Sequence, residues 1–317
     1  MLDAVFIHHS ITALSVIATS LSVGLSQGIV SASACQAINI QPQAKDSITN
    51  TAILSTALIE TASITGVFMS VLLFLEPAPA HAVYAHLAKI GIGLAICLSG
   101  AAVAFISAFP AAAACMSIAR QPFAADWIFR FTLMILAIMQ TPLIFALIIS
   151  LFIKTQAAVT TTLPDALRLI GAGFAIGVGT LGPVYGMGLI TRAAARGVGI
   201  NRHAANRILS FTFISQTIIE TPIIFSSVIA FLLLFYKSAG DSLHTGIAML
   251  AAGFAIGLGT IGVGLNAGRV ARNAVAQITH VPEQYAHILK TSIFAQGFID
   301  TNAIYALIVA SALVLFL

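Results

Sequence analysis

The sequence predicts an all-α membrane protein made of four tandem transmembrane helical hairpins, which gives eight membrane-spanning helices. An apolar composition, eight long apolar segments and an internal repeat of 80 residues lead to this fold class. Hydrophobic residues fill 59% of the 317 positions and charged residues only 8%, and the mean hydropathy is +1.03. A soluble domain of this length needs more polar surface, so the chain belongs in a bilayer.

Eight apolar segments follow one another, each longer than the roughly 20 residues that a helix needs to cross a hydrocarbon core. They begin near Ile11, Ile48, Leu87, Trp127, Leu167, Leu209, Ile247 and Ile288. Taken in pairs, the segments form hairpins over residues 1–80, 81–160, 161–240 and 241–317. No Lys or Arg precedes the first segment, so we expect it to be retained as a helix and not removed as a signal peptide.

The basic residues predict the orientation of the chain. Ten of them lie around the first, third, fifth and seventh connections: Lys45, Arg120, Arg130, Arg192, Arg196, Arg202, Arg207, Arg269, Arg272 and Lys290. Four lie around the other connections: Lys89, Lys154, Arg168 and Lys237. Cytoplasmic loops carry the excess of Lys and Arg, so the odd-numbered turns are predicted to be cytoplasmic and both termini to lie opposite. Basic residues scattered near helix ends do not suggest a nucleic-acid partner.

The internal repeat is clearest in the first helix of each unit. The segment GAGFAIGVGTLG from Gly171 and the segment AAGFAIGLGTIG from Ala251 are near copies, 80 residues apart. Small residues recur in them every three or four positions, which allows helix backbones to approach closely. We therefore expect the first helices to pack tightly side by side.

The second helix of each unit has a polar residue at the same place, in the segments LIET, IMQT, IIET and FIDT. These residues, each followed by a threonine, are Glu60, Gln140, Glu220 and Asp300, and the threonines are Thr61, Thr141, Thr221 and Thr301. A charge deep in an apolar helix costs about 2.5–3.5 kcal/mol on insertion scales. Three acids at equivalent depth favour a repeated ion-binding position, tolerated in lipid while it is occupied. The alternative is a neutral carboxyl that ties helices together by hydrogen bonds.

A Gly-rich first helix, a polar turn and a second helix with a mid-membrane acid resemble the proteolipid, or c subunit, of F-type ATP synthases, here repeated four times. Arg120, Gln121 and Pro122 reproduce the Arg-Gln-Pro turn of that family, about 20 residues before Gln140. In the first unit, Gln41 and Pro42 keep part of this turn. The third and fourth turns depart from the motif.

The resemblance implies a function in a rotary ATP synthase or ATPase. The hairpins of several identical chains would form a homo-oligomeric rotor ring, with the first helices inside and the second helices against membrane lipid. The acids would carry ions past the stator a-subunit, and the turns would contact the central-stalk subunits. The chain would hold no cofactor and perform no ATP chemistry itself. The corresponding location is the bacterial plasma membrane, in which the chain would be an integral protein.

Gln140 departs from the pattern because an amide does not exchange a proton as a carboxyl does. The chain therefore has three candidate carriers for four hairpins. A ring of such chains moves fewer ions per turn, which favours ATP-driven pumping over synthesis.

The transported ion is predicted to be a proton, with sodium as the alternative. Sodium-carrying members of the family pair the acid with a glutamine 33 residues earlier and a hydroxyl directly after it, and Gln27, Glu60 and Thr61 match this sodium set. The equivalents of Gln27 in the other units are Ser107, Met187 and Ala267. Gln216 and Gln296 lie one helical turn before Glu220 and Asp300 and are candidate substitute ligands or hydrogen-bond partners.

Three other functions are compatible with the composition. A vacuolar-type ATPase proteolipid is the nearest alternative, and the Arg-Gln-Pro turn speaks against it. A monomeric secondary ion transporter would more often have inverted halves with broken helices, whereas these units are same-direction hairpins with long, uninterrupted second helices. A non-transporting membrane scaffold is the third.

Overall fold

The computed structural model describes residues 2–77, 82–235 and 242–316, and within them it has eight helical passes long and apolar enough to span a membrane. The predicted fold class is confirmed. The helices are α1 (Leu2–Ile40), α2 (Lys45–Phe74), α3 (Val83–Ala88), α4 (Ile90–Gly93), α5 (Ser99–Arg120), α6 (Ala125–Ile138), α7 (Thr141–Ala157), α8 (Leu163–Gly179), α9 (Leu181–Ile200), α10 (Ala205–Phe235), α11 (Leu243–His280) and α12 (Tyr285–Leu315). The predicted unit limits at 80/81 and 240/241, and Lys237, lie outside the described residues.

The turns that follow the first helices share one geometry. Each is a short 3-10 turn: Pro42–Ala44, Pro122–Ala124, Arg202–Ala204 and Pro282–Gln284. The residue before each turn has φ between −136° and −130° and accepts a hydrogen bond from the third residue after it. In the third turn, which lacks the proline, the Asn201 side chain accepts a hydrogen bond from the amide of His203 at 3.0 Å. The third turn thus keeps the fold of the motif without its residues, and the fourth turn keeps it with only the proline.

The hairpins lie side by side in two rows. The inner row contains the first helices, α1, α3–α5, α8–α9 and α11, and the outer row contains the second helices, α2, α6–α7, α10 and α12. Glycines bring the inner helices together: a Cβ atom at Gly173 would collide with the backbone of Gly91, and one at Gly253 would collide with the backbone of Gly171. Both contacts join residues 82 positions apart, so neighbouring hairpins run in the same direction.

Polar contacts between hairpins also join residues about one repeat apart, 79 and 78 positions in the two examples that follow. The hydroxyl of Ser22 donates to the carbonyl of Ala101 at 2.6 Å, and that of Ser117 donates to the carbonyl of Ala195 at 2.7 Å. Small side chains hold the inner row closer together than the larger side chains of the outer row allow. The rows therefore form an arc with the first helices on its concave side.

The expectation of uninterrupted second helices is wrong for the second hairpin. Its outer pass breaks between α6 and α7, where the amide of Gln140 bonds to the carbonyl of Ala137 instead of Leu136. Pro142, which has no N–H group, opens α7. Pro222 stands at the equivalent place in the third hairpin but lies inside the continuous helix α10. Proline alone therefore does not decide the break.

Buried charges join the first two hairpins at the end opposite the turns. Lys89, whose side chain is 2% exposed, forms an ion pair with Glu76 at 3.1 Å, and its Nζ lies 3.1 Å from Nδ1 of His8. Lys154 approaches the other oxygen of Glu76 at 3.7 Å. Between the second and third hairpins, the guanidinium of Arg168 instead donates to Oε1 of Gln156 at 3.1 Å. These two junctions therefore differ at this end.

Replacing Gly253 with valine tests the glycine packing. The added side chain collides with the Gly171 backbone, so we expect the free energy of unfolding to fall by about 1–3 kcal/mol, as in other overpacked interiors. The measurement is unfolding of the detergent-solubilised protein. Gly297→Val is the matched control, because a Cβ atom there has no neighbour within 4 Å. Equal stability of the two variants would contradict the packing.

Candidate functional site

The four aligned polar residues of the second helices, called the acid column, lie along the outer row, midway along each pass. Glu60 is on α2, Gln140 lies between α6 and α7, Glu220 is on α10 and Asp300 is on α12. Because the hairpins are parallel neighbours in register, the four positions come side by side at one depth. Residues that are 80 positions apart in the sequence therefore lie in one row in the structure.

Two positions, Gln140 and Glu220, have a threonine of the preceding hairpin beside them. The hydroxyl of Thr61 donates to Oε1 of Gln140 at 3.0 Å, across the junction of the first and second hairpins. At the next junction the side chain of Thr141 lies close to the Glu220 carboxyl, while its hydroxyl donates to the carbonyl of Ile138 at 2.8 Å. At these two junctions the threonine therefore lies beside the polar residue of the following hairpin. The sequence pattern alone groups each threonine with the acid directly before it.

The third junction does not repeat this contact. Among the hydrogen bonds of the described residues none joins Thr221 to Asp300, and the hydroxyl of Thr221 donates to the carbonyl of Thr217 at 3.3 Å. One oxygen of the half-buried Asp300 carboxyl, Oδ1, is buried without a hydrogen-bond partner.

The predicted sodium set lies at one end of the arc. Glu60 is exposed and Gln27 is half-buried, and within the part of the chain that the structure describes no hydrogen bond joins them. Thr61 faces Gln140 in the second hairpin. Among the hydrogen bonds of the described residues, none joins Glu60 to a threonine of another hairpin.

Gln216 and Gln296 connect adjacent outer helices. The amide of Gln216 donates to the carbonyl of Ile135 at 3.4 Å, and that of Gln296 donates to the hydroxyl of Ser215 at 3.2 Å, both in the preceding hairpin. Their Oε1 atoms are buried and without hydrogen-bond partners, one helical turn before the acids. Neither amide bonds to its own acid among the contacts of the described residues, so each is available as an acceptor close to the acid column.

The second hairpin lacks this glutamine as well as the acid. Leu136 occupies the position of Gln216 and Gln296, and the residue opposite it, Ser55, has a buried hydroxyl without a hydrogen-bond partner. Sequence reasoning singled out Gln140 but missed Leu136 and Ser55. The 80-residue register that aligned the acids also aligns these positions and was sufficient to find them.

Comparison with known families identifies this arrangement. The profile of the ATP synthase C subunit matches residues 11–73, 170–233 and 250–313, which lie in the first, third and fourth hairpins. The chain belongs to the ATP synthase C-subunit family. The matched residues leave out the second hairpin, where both Leu136 and Gln140 depart from the other units.

Curated relatives show that one hairpin corresponds to a whole c subunit. A stretch of 69 residues is 37% identical to the ATP synthase c subunit of Chloroflexus aurantiacus and covers 22% of this chain and 91% of that protein. A stretch of 73 residues is 40% identical to the ATP synthase c subunit of Prochlorococcus marinus and covers 23% of this chain and 90% of that protein. This member of the C-subunit family therefore carries several family units in one polypeptide.

A double-mutant cycle tests the contact across the first junction. Thr61→Val and Gln140→Leu, alone and together, are expected to give a coupling free energy of about 0.6 kcal/mol, with an upper end near 1.7 kcal/mol, as for other hydrogen bonds between membrane helices. The measurement is unfolding of the solubilised protein. Thr301→Val combined with Gln140→Leu is the control, since Thr301 donates to Phe298 in its own helix. A cycle at Thr61 no larger than the control cycle would rule the contact out.

Proposed function

We propose that this chain is the ion-translocating rotor-ring subunit of the membrane sector of a rotary ATP synthase or ATPase, and that Glu60, Glu220 and Asp300 carry the ions. The observation that supports this most directly is the shared site at Glu220, an acid on one outer helix with Thr141 of the preceding hairpin beside it. Such a site is completed only when hairpins stand side by side, as they do in a ring. Membership of the C-subunit family supports the same role.

The position of the acids on the outer row supports a carrying mechanism. A carboxyl that faces lipid is tolerated when it is protonated or paired with a cation, because a bare charge is costly there. In the proposed cycle each acid takes up its ion through a channel of the stator a-subunit and travels through lipid in the neutral form. A stator arginine then favours the ionised carboxylate and releases the ion to the other side. A membrane potential of 100 mV supplies about 2.3 kcal/mol per charge, so several ions contribute to each ATP.

Gln140 is proposed to be a neutral, non-carrying position. Thr61 donates to its Oε1 and its amide group donates to the carbonyl of Leu136 at 3.4 Å. The second hairpin thus turns with the ring without loading an ion. Three carriers for four hairpins lower the number of ions per turn and favour ATP-driven pumping.

The proton is the proposed ion, and sodium remains the alternative at Gln27, Glu60 and Thr61. A proton needs only the carboxyl and one acceptor, and the buried Oε1 atoms of Gln216 and Gln296 lie one turn from their acids. A sodium ion needs several oxygen ligands together, and only the first hairpin has the glutamine on its first helix.

Ring closure by identical chains is supported by the two ends of the arc. Gly264 meets the backbone of Gly182 and Pro183 inside the chain. The equivalents of this pair at the two ends are Gly24 and Gly262, and a Cβ atom at either one would have no neighbour within 4 Å. Seating the first hairpin of one chain on the fourth hairpin of the next would bring these glycines together. The same step would place Thr301 of one chain beside Glu60 of the next.

The remaining partners and the location follow from the same proposal. The basic turns, with Arg120, Gln121 and Pro122 and the pair Gln41 and Pro42, are proposed to face the cytoplasm and contact the central-stalk subunits. Both termini then lie on the opposite side of a bacterial plasma membrane. ATP chemistry takes place on partner subunits, and the chain needs no cofactor.

Restoring an acid in the second hairpin tests the function. In Gln140→Glu the carriers per chain increase from three to four, so the ratio of protons pumped to ATP hydrolysed should rise as four to three. The measurement is ATP-driven acidification of proteoliposomes in sodium-free buffer. Gln140→Asn keeps an amide and serves as the matched control.

Two results would contradict the proposal. An unchanged ratio in Gln140→Glu would mean that the amide does not limit stoichiometry. Persistent pumping after Glu60→Gln, Glu220→Gln and Asp300→Asn are combined would mean that the acids do not carry the ion.

Gly262→Val tests ring closure separately from folding. Within one chain the new side chain points into empty space, so the chain should fold normally. The same side chain should block the approach of Gly24 of the next chain. We expect the native mass of the purified complex to fall from a ring to single chains. Gly297→Val should keep the ring, and an intact ring in Gly262→Val would rule out this interface.

A further inference from the structure

Neighbouring hairpins of this chain pack through contacts that are nearly alike. Gly173 against Gly91 and Gly253 against Gly171 join the same aligned positions at two successive junctions. Such contacts bring hairpins together without distinguishing one neighbour from another. A chain of similar units is therefore open to association in a wrong order, which is a characteristic failure of repeat proteins. In the proposed ring, the wrong order with the simplest geometry places a second hairpin, in place of a first, on the fourth hairpin of another chain.

A cluster of buried charges separates the first junction from the others. The side chain of Lys89, in the second hairpin, is 2% exposed and lies at the end of the molecule opposite the turns. Its Nζ lies 3.1 Å from Oε1 of Glu76 and 3.1 Å from Nδ1 of His8, and both partners belong to the first hairpin. Lys154 lies 3.7 Å from the other oxygen of Glu76. The buried ammonium of the second hairpin therefore takes its counter-charge and a second acceptor from the first hairpin.

The other hairpins do not offer the same partners. The residues aligned with Glu76 are Gln156, Tyr236 and Phe316, and those aligned with Lys89 are His9, Leu169 and Met249. A carboxylate and an amine therefore face each other at one of the four junctions of the proposed ring. At the end of the fourth hairpin, Phe316 is 84% exposed and presents an apolar side chain where the first hairpin presents an acid.

A wrong neighbour would leave Lys89 without its partners. On the fourth hairpin of another chain Lys89 would meet Phe316, and a buried charge that loses its partner is strongly destabilising. Converted to an equilibrium, this loss disfavours the wrong neighbour by at least about a hundredfold. The correct pair gains much less over apolar side chains of similar volume, because both charges have given up their hydration. The pair therefore contributes more to the choice of neighbour than to the stability of the chain.

We propose that Lys89, Glu76 and His8 fix the order of the hairpins. They admit only the first hairpin as the neighbour of the second, and so reserve the edge of the fourth hairpin for the first hairpin of another copy. This order rests on the ring proposed above. Its consequence is that every chain places all four hairpins in the ring, so that the first hairpin and its Glu60 are not bypassed.

The geometry of the inner row supplies a reporter of this order. A Cβ atom at Gly197 would lie 3.6 Å from the Cβ atom of Thr279 in the next hairpin. This distance is within the range of about 3.5–4.5 Å between the Cβ atoms of a disulfide. The aligned pair at the edge of the chain is Gln277 with Asn39 of the next copy. If a second hairpin took that place, Gln277 would face Ala119 instead.

Disulfide cross-linking of the native complex tests the proposal, with the three native cysteines replaced by alanine. Gln277→Cys with Asn39→Cys reports the expected order and should link one chain to the next. Gln277→Cys with Ala119→Cys reports the wrong order and should give no link between chains. Adding Glu76→Leu and Lys89→Met removes the charges and fills the space with apolar side chains, so the wrong-order link should increase at least about tenfold. Glu76→Asp with Lys89→Arg keeps a charge pair and is the matched control.

The outcomes separate this proposal from the ring itself. A wrong-order link that stays absent in the apolar variant, or that is equally strong without the charge substitutions or in the control, would overturn the order-setting role. Failure of the apolar variant to fold would overturn it as well, since the pair would then be a stabilising element. Absence of both links without the charge substitutions would contradict the ring and, with it, the need for a fixed order.

Discussion

The rest of this structure depends on the contact of glycine with backbone along the inner row. Gly173 against Gly91 and Gly253 against Gly171 leave no room for a side chain, so neighbouring first helices approach as closely as backbones allow. The outer helices have larger side chains and cannot approach as closely. This difference between the two rows bends the hairpins into an arc, and the arc sets the acids of successive units side by side.

The arc determines which groups of the neighbouring hairpin lie beside each residue of the acid column. A lone carboxyl on a membrane helix would have only its own helix for hydrogen bonds, but here the preceding hairpin reaches it. Thr61 bonds to Gln140 and Thr141 lies close to Glu220, so the proposed ion site belongs to the junction between hairpins. Among the described residues, the first and fourth hairpins each have a neighbouring hairpin on one side only. The proposed ring would place a second copy of the chain on the other side.

Fusion of the units has allowed the junctions to diverge. The first has Leu136 and Gln140 in place of a glutamine and an acid, and a buried ion pair between Lys89 and Glu76 closes its far end. Arg120 of the second hairpin and Arg192 and Arg196 of the third line a cavity between α1, α5 and α9. In separate, identical subunits such changes would appear at every position of a ring. In a fused chain a substitution at one junction leaves the other junctions unchanged.

The sequence by itself determined the fold class, the four-fold repeat and the positions of the acids, because apolar length and an 80-residue register are properties of the linear chain. It also predicted close packing of the first helices from their small residues. Only the tertiary structure decided which threonine serves which acid, because that contact crosses from one hairpin to the next. It likewise decided the break before Pro142, since Pro222 has the same local sequence position in an unbroken helix. The pairing of Lys89 with Glu76 and the gathering of Arg192 with Arg120 depend on the curvature of the arc, which no single segment contains.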